Sequence, residues 1–226
     1  METTENLEKV QYNVFFIADL HICHKNILHH SKERISAMGL KDNTDIDGHD
    51  EYIIKLFHNQ VKRGDHVYIL GDFILSNQET SKKIIQRIKS KGCKLHLIIG
   101  NHDKSTERFY NDFESIEYIK VANFKKTVFP FIEEDNFQIV MCHYPMKSWF
   151  NKCRGSLMMS GHTHWNSPWE MDGDDLSLNV GFDNPMCNYQ LFTLEQVYKY
   201  YKNKLNGLSP VEYIEKVSKE NKYFIR

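Results

Sequence analysis

Leu97-Ile98-Ile99-Gly100-Asn101-His102-Asp103 is an apolar run that stops abruptly at a glycine and delivers an amide, an imidazole and a carboxylate in succession. As a buried strand it places those three side chains at its carboxyl end, the edge at which open α/β sheets bind ligands. Alone, the stretch is equally well a turn, since glycine and asparagine both favour the positive φ that turns require. Its meaning depends on what other strands bring to the same edge.

Two earlier runs end in the same way. Val14 to Ala18 is a short continuous apolar segment, read as a strand buried on both faces, and it closes at Asp19 with His21 two residues on. Val67 to Leu70 closes at Gly71-Asp72, and the third strand runs from Leu95 to Ile99. Between them lie two amphipathic helices. The first is expected from Asp47, a cap with Asp50 three residues on, with Ile53, Leu56, Phe57 and Val61 on one face and Gly64 as terminator. The second is capped by Ser76 or Asn77, turns Ile84, Ile85 and Ile88 inward, and stops at Gly92. Crossovers long enough to hold a helix predict parallel pairing. The segment from His24 to Arg34 is a short helix or a structured loop over the strand ends.

After Ile116 the texture changes to short β-prone runs: Val121, Thr127 to Phe131, and Phe137 to Met141, with a hairpin turn expected over Glu133 to Asn136. These predict a second sheet packed on the first. Its later strands carry Cys142-His143, then Leu157-Met158-Met159 into Gly161-His162-Thr163-His164, then Leu178-Asn179-Val180. Thr193 with Gln196 forms a capping box ahead of a stripe of Leu194, Val197, Tyr198, Tyr201 and Leu205, and Ser209-Pro210 opens another helix. Trp149, Trp165 and Trp169 are read as rim or core packing.

At 226 residues the chain is expected to be one domain, 1–226, with a polar tail over 1–11 and C-terminal helices over 193–226 packed upon it. Its 29 basic and 30 acidic residues give a net charge of -1, which lacks the electrostatic footprint of a general nucleic-acid binder. Five cysteines without a C-x-x-C pair argue for free thiols in a reducing compartment. Met1 to Lys9 has no apolar core, and no run approaches the roughly 20 apolar residues of a membrane helix, so a cytoplasmic protein is expected.

The polar strand ends collect Asp19, His21, Asp72, Asn101, His102, His143, His162 and His164. Any one of these histidines could be a satisfied core or surface residue. Together, imidazoles with carboxylate and amide oxygens and no cysteine favour manganese, iron or zinc in a working site over a structural zinc. Eight such groups exceed the needs of one ion. Two ions about 3.5–4 Å apart can share one carboxylate, hold a hydroxide and neutralise phosphoryl oxygens during in-line displacement.

In order these residues read D-x-H, G-D, G-N-H-D, H and G-H-x-H, a pattern that resembles the calcineurin-like metallophosphoesterase family from Asp19 to His164. The resemblance implies a four-layer αββα sandwich of two mixed sheets flanked by helices, and two divalent transition-metal ions, manganese favoured. It implies that Asp19, His21 and His164 hold one ion and Asn101, His143 and His162 the other, with Asp72 between them. His102 would stabilise or protonate the leaving oxygen, with Asp103 orienting its ring.

His24, Asn26 and Arg34 extend the first motif and His143 continues as Tyr144-Pro145, a combination similar to small bacterial and phage members of the family. On that likeness His24, Asn26 and Arg34 line the phosphate side; equally, His24 and Asn26 support the adjacent helix. Gly71-Asp72 continues as Phe73-Ile74-Leu75, and Asp103 stands where the protein Ser/Thr phosphatases carry Glu, so that branch fits less well. The expected substrate is a small phosphoester, with a nucleotide-like phosphodiester favoured. The alternatives are a phosphomonoester, a phosphoprotein, or no substrate at all in a metal-free scaffold.

Overall fold

The computed structural model describes residues 12–103, 111–164 and 176–220. The expected 1–11 tail, Trp165 and Trp169 lie outside these residues. The expected strand-helix alternation is present: β1 (Val14–Ile17), α1 (Ile27–His30), α2 (Glu33–Met38), α3 (Ile46–Gln60), β2 (His66–Ile69), α4 (Gln78–Lys89) and β3 (Lys94–Ile98). There follow β4 (Ser115–Glu117), β5 (Ile119–Lys125), β6 (Asn136–Cys142), β7 (Leu157–Ser160), β8 (Ser177–Asn179), β9 (Phe192–Thr193), α5 (Leu194–Leu205) and α6 (Pro210–Glu220).

Both sheets are mixed. The first has the order β4-β3-β2-β1-β9, parallel except for antiparallel β9, and the second has the order β5-β6-β7-β8, parallel except for β5. Helices flank the two sheets, giving the expected α/β sandwich. Period-two alternation divides β1 between two cores. Phe15 and Ile17 pack with Ile53 and Phe57 of α3 and Ile84 and Ile88 of α4. Phe16 and Ala18 join Phe124, Met141 and Met159 of the second sheet, and Leu194, Val197 and Tyr201 of α5 complete that core.

Register explains why the polar ends meet. Ile17, Ile69 and Leu97 are aligned across β1, β2 and β3, so Asp19, Gly71 and Ile99 all lie two residues past one row. In the second sheet Met141 aligns with Met159, so His143 and Gly161 are likewise level. The two tips are joined by backbone hydrogen bonds from Ala18 N to Val180 O and from Phe182 N to Ala18 O, both 2.9 Å.

Several local expectations shift. The side chain of Asp45, not Asp47, caps α3 by accepting from Gly48 N, and that helix ends at Gln60, before Gly64. Asn77 caps α4 and the Thr193–Gln196 capping box forms as expected. Thr127 to Phe131 are turns instead of strand, so the β5–β6 connection spans 126–135 and is longer than a tight hairpin. Pro130 has no N–H to give a ladder, while Phe129 and Ile132 are buried and anchor the loop. Among the described residues no helix is long and apolar enough to cross a membrane.

Phe16 links the sheets, stacked on Tyr68 at 5.5 Å and edge-on to Phe124 at 6.1 Å between ring centroids. Phe16→Ala should therefore cost about 3–5 kcal/mol in urea unfolding, whereas Val121→Ala on the exposed edge strand should stay within about 0.5 kcal/mol. Equal losses would show that the inter-sheet core is not where these contacts place it.

Candidate metal centre

Two groups of potential ligand atoms stand side by side at the aligned strand ends: Asp19, His21 and His164, and Asp72, His143 and His162, each with its atoms within 4.8 Å of one another. His21 Nε2 and His164 Nε2 are 3.0 Å apart. Asn101 Oδ1 is 3.0 Å from His143 Nε2, which brings the amide into the second group. Asp72 Oδ2 lies 3.6 Å from His21 Nε2 and 3.6 Å from His143 Nε2, so one carboxylate oxygen faces both groups.

The tips are held by their own carboxylates. Asp72 Oδ1 accepts from His102 N at 2.9 Å, and Asp103 Oδ2 accepts in return from Asp72 N at 2.8 Å and Gly100 N at 2.9 Å. Asp103 Oδ1 takes Phe73 N at 3.0 Å. Asp19 reaches across to the second sheet, where both its oxygens share His162 N at 2.9 and 3.0 Å. This closeness explains the glycines: a Cβ on Gly100 would fall 2.4 Å from Asp72 Oδ1, and one on Gly161 would fall 2.6 Å from Asp19 Oδ2. Asp19, His21, Asp72, His162 and His164 all have positive φ, between 48° and 73°. Each such residue costs on the order of 1 kcal/mol, and clusters of them mark functional sites.

Burial and hydrogen bonding act differently on the imidazoles of the two groups. Burial, reinforced by His164, holds His21 far below the ordinary imidazole range, and burial also lowers His162. His143 Nδ1 lies 2.8 Å from Leu70 O, which accepts its proton and leaves Nε2 as a lone pair turned to the cluster. Burial alone would lower His164, but its hydrogen bond to Asp183 and the charge of Asp19 outweigh it and raise the ring. Burial pushes the Asp19 carboxyl up to about 6, against the opposing pull of His164 and His143. Nitrogen donors and carboxylate oxygens converging in this way are a donor set that fits divalent transition metals.

The other expected residues fall into three groups. His102 is exposed, its ring 5.5 Å from that of His21, in place to meet a group bound over the cluster. His24 lies over the same side, 5.3 Å from His21 and 6.1 Å from His102, while Asn26 is exposed at the start of α1 and makes no side-chain cap. Asp103 differs from expectation. Both its oxygens hold backbone N–H groups of the β2 and β3 tips, so it shapes the loop that carries His102 instead of standing behind the imidazole.

Arg34 is the clearest correction. Expected to line the phosphate side, it is 0 % exposed and its five N–H donors are all taken within the protein. Its main partner, Asp183, belongs to the run Asn179 to Asn184, part of the likeness to small bacterial and phage members, but is given no individual role by the sequence. Asp183 lies four residues past β8 (Ser177–Asn179), and a carboxylate shortly after a strand, as at Asp19 and Asp72, was the available signal. Asn179, also missed, donates to Thr163 Oγ1 at 2.8 Å and steadies the loop between His162 and His164. Trp149 is buried and donates to Ser156 O, in keeping with core packing.

A family profile described as calcineurin-like phosphoesterase matches residues 12–166. The uncharacterized protein MJ1445 of Methanocaldococcus jannaschii is 26% identical over 189 residues, 82% of this chain and 89% of that protein. The Gene 66 protein of Mycobacterium phage D29 is 24% identical over 187 residues, 76% of this chain and 88% of its own length. The crystal structure of a protein of unknown function, AQ665 from Aquifex aeolicus, superposes with a TM-score of 0.62 at 22% identity, covering 84% of this chain and 99% of that one. This structural likeness shows a shared fold.

The elevated Asp19 carboxyl makes a prediction for the metal-free protein. An unfolded aspartate titrates near about 4, so between there and about 6 the folded state holds a proton that the unfolded state has lost. Stability is full below that window and falls as pH rises through it. Asp19→Asn keeps an acceptor for His162 N and removes the buried charge. In chelator at pH 7.5 the variant should be more stable than the wild type by on the order of 2 kcal/mol, while losing most of the stabilisation that added manganese gives. Thermal melts with and without metal check this; a variant less stable than wild type in chelator would contradict it.

Proposed function

The chain belongs to the calcineurin-like phosphoesterase family, and from that premise we propose that it is a dinuclear, metal-dependent phosphodiesterase acting on a small, nucleotide-like phosphodiester. The observation that carries the reading is Asp72 Oδ2, set 3.6 Å from an imidazole of each group and so able to serve both ions. Asp19, His21 and His164 would hold one ion and Asn101, His143 and His162 the other, with Asp72 common to both. Manganese is favoured, with iron and zinc open to the same nitrogen and oxygen donors. When bound, the ions supply positive charge that polarises the phosphoryl oxygens and draws a nucleophile from water.

The chain's own residues do the rest. Asp103 and Asp72 clasp the β2 and β3 tips, so that His102 stands exposed over the cluster with its backbone fixed. From there the imidazole donates its proton to the departing oxygen. His24 lines the same side, its ring 6.1 Å from that of His102. Tyr144, 45% exposed, sets its ring 4.7 Å from that of His162 and offers a flat face to a planar substituent.

Two features support a diester over a monoester. A diester carries one negative charge where a monoester carries close to two, and the guanidinium expected to meet the extra charge, Arg34, has no donor left. The exposed face of Tyr144 also suits a second organic substituent on phosphorus.

Manganese-supplemented hydrolysis of aryl phosphate diesters, aryl monoesters and cyclic nucleotides tests this reading, and diesters should be preferred. A purely monoesterase profile would overturn the substrate class; no hydrolysis with any metal would overturn the activity. Asp72→Asn should abolish turnover and weaken at least one ion. His102→Ala should lower kcat by about 10²–10⁴ with alkyl leaving groups, much less with nitrophenolate, which departs unprotonated, and should leave metal content unchanged. Loss of bound metal in that variant would make His102 a ligand.

A further inference from the structure

A buried polar chain runs behind one of the two ligand groups. Arg34 forks onto Asp183, Nε to Oδ1 at 2.7 Å and Nη2 to Oδ2 at 2.8 Å. Asp183 Oδ2 accepts in turn from His164 Nδ1 at 2.7 Å, which leaves Nε2 as the lone pair facing His21 Nε2. The same guanidinium donates to Asp19 O at 2.8 Å and Leu20 O at 3.1 Å. Its remaining donor meets His49 Nε2 at 3.0 Å; arginine has no acceptor, so His49 Nδ1 bears the proton and gives it to Asp50 Oδ1 at 2.9 Å. Asp50 closes the chain on the backbone N–H of Cys23, two residues past His21.

The second group is backed differently. His143 is oriented by a neutral backbone carbonyl, Leu70 O. A carboxylate behind a ligating imidazole fixes its tautomer and raises its basicity more than a carbonyl does, and removing such a partner typically costs 10–100-fold in metal affinity. A pair needed only to anchor α2 against β1 would gain more from apolar packing, since burying two charges carries a desolvation cost of several kcal/mol per ion.

Resting on the dinuclear reading above, we propose that Asp183 and Arg34 are positioning residues that set the affinity of the Asp19–His21–His164 site, making it the tighter of the two. Asp183 presents His164 in the ligating tautomer, and Arg34 holds Asp183 and the Asp19–Leu20 backbone in one frame.

Calorimetric titration of manganese into the metal-free full chain tests this, with melts in chelator run alongside. Wild type should show two sites. In Asp183→Asn, whose amide can donate to His164 Nδ1 and move the ring proton to Nε2, one site should weaken about 10–100-fold and the other should not change. The weakened site should be the one that His21→Ala also removes. Arg34→Lys, which keeps the buried charge but loses the fork, provides a second variant if the first does not fold and should show a smaller loss at the same site. Parallel weakening of both sites with a lower melting temperature in chelator, or no change at either, would overturn the proposal as a merely structural role. Fewer than two sites in the wild type would instead overturn the dinuclear reading.

Discussion

The centre depends on buried carboxylates that each do two jobs at the strand tips. Asp72 and Asp103 clasp each other's backbone between β2 and β3, and Asp19 accepts from His162 N across the gap between the sheets. A buried carboxylate is tolerated when backbone N–H groups solvate it. Asp72 Oδ1 and both oxygens of Asp103 are satisfied in this way, while Asp72 Oδ2 is left turned to the imidazoles. The strain of five candidate ligand residues at positive φ is held in place by this clasp and by the parallel register that brings the tips level.

That these polar side chains meet was legible in the sequence because parallel strands buried on both faces read as uninterrupted apolar runs, so the polar residue closing each run marks the sheet's edge. Asp19, Asp72 and His143 are all found by that single rule. Gly100 and Gly161 were visible as turn residues, but their reason was not, since the atoms a Cβ would strike belong to Asp72 and Asp19, distant in sequence. The β5–β6 connection differs for a related cause: Thr127 to Phe131 reads as a strand, but Phe129 is a loop anchor buried, like Ile132, by tertiary packing, which β-propensity cannot separate.

Arg34 marks the limit of such reading. An arginine close in sequence to metal ligands resembles a phosphate clamp, and only the three-dimensional pairing with Asp183, 149 residues away, shows that its donors are spent. Arg34 lies behind one candidate ligand group, while His24, His102 and Tyr144 stand on the open side. That division gives the two ligand groups different backing, charged behind His164 and neutral behind His143.

In the proposed dinuclear centre Asp72 would be common to both ions. Anomalous diffraction from crystals soaked in manganese measures this directly. Two peaks separated by about 3.5–4 Å, with Asp72 Oδ2 between them, are predicted. A single peak, or two peaks of which only one touches Asp72, would contradict the account.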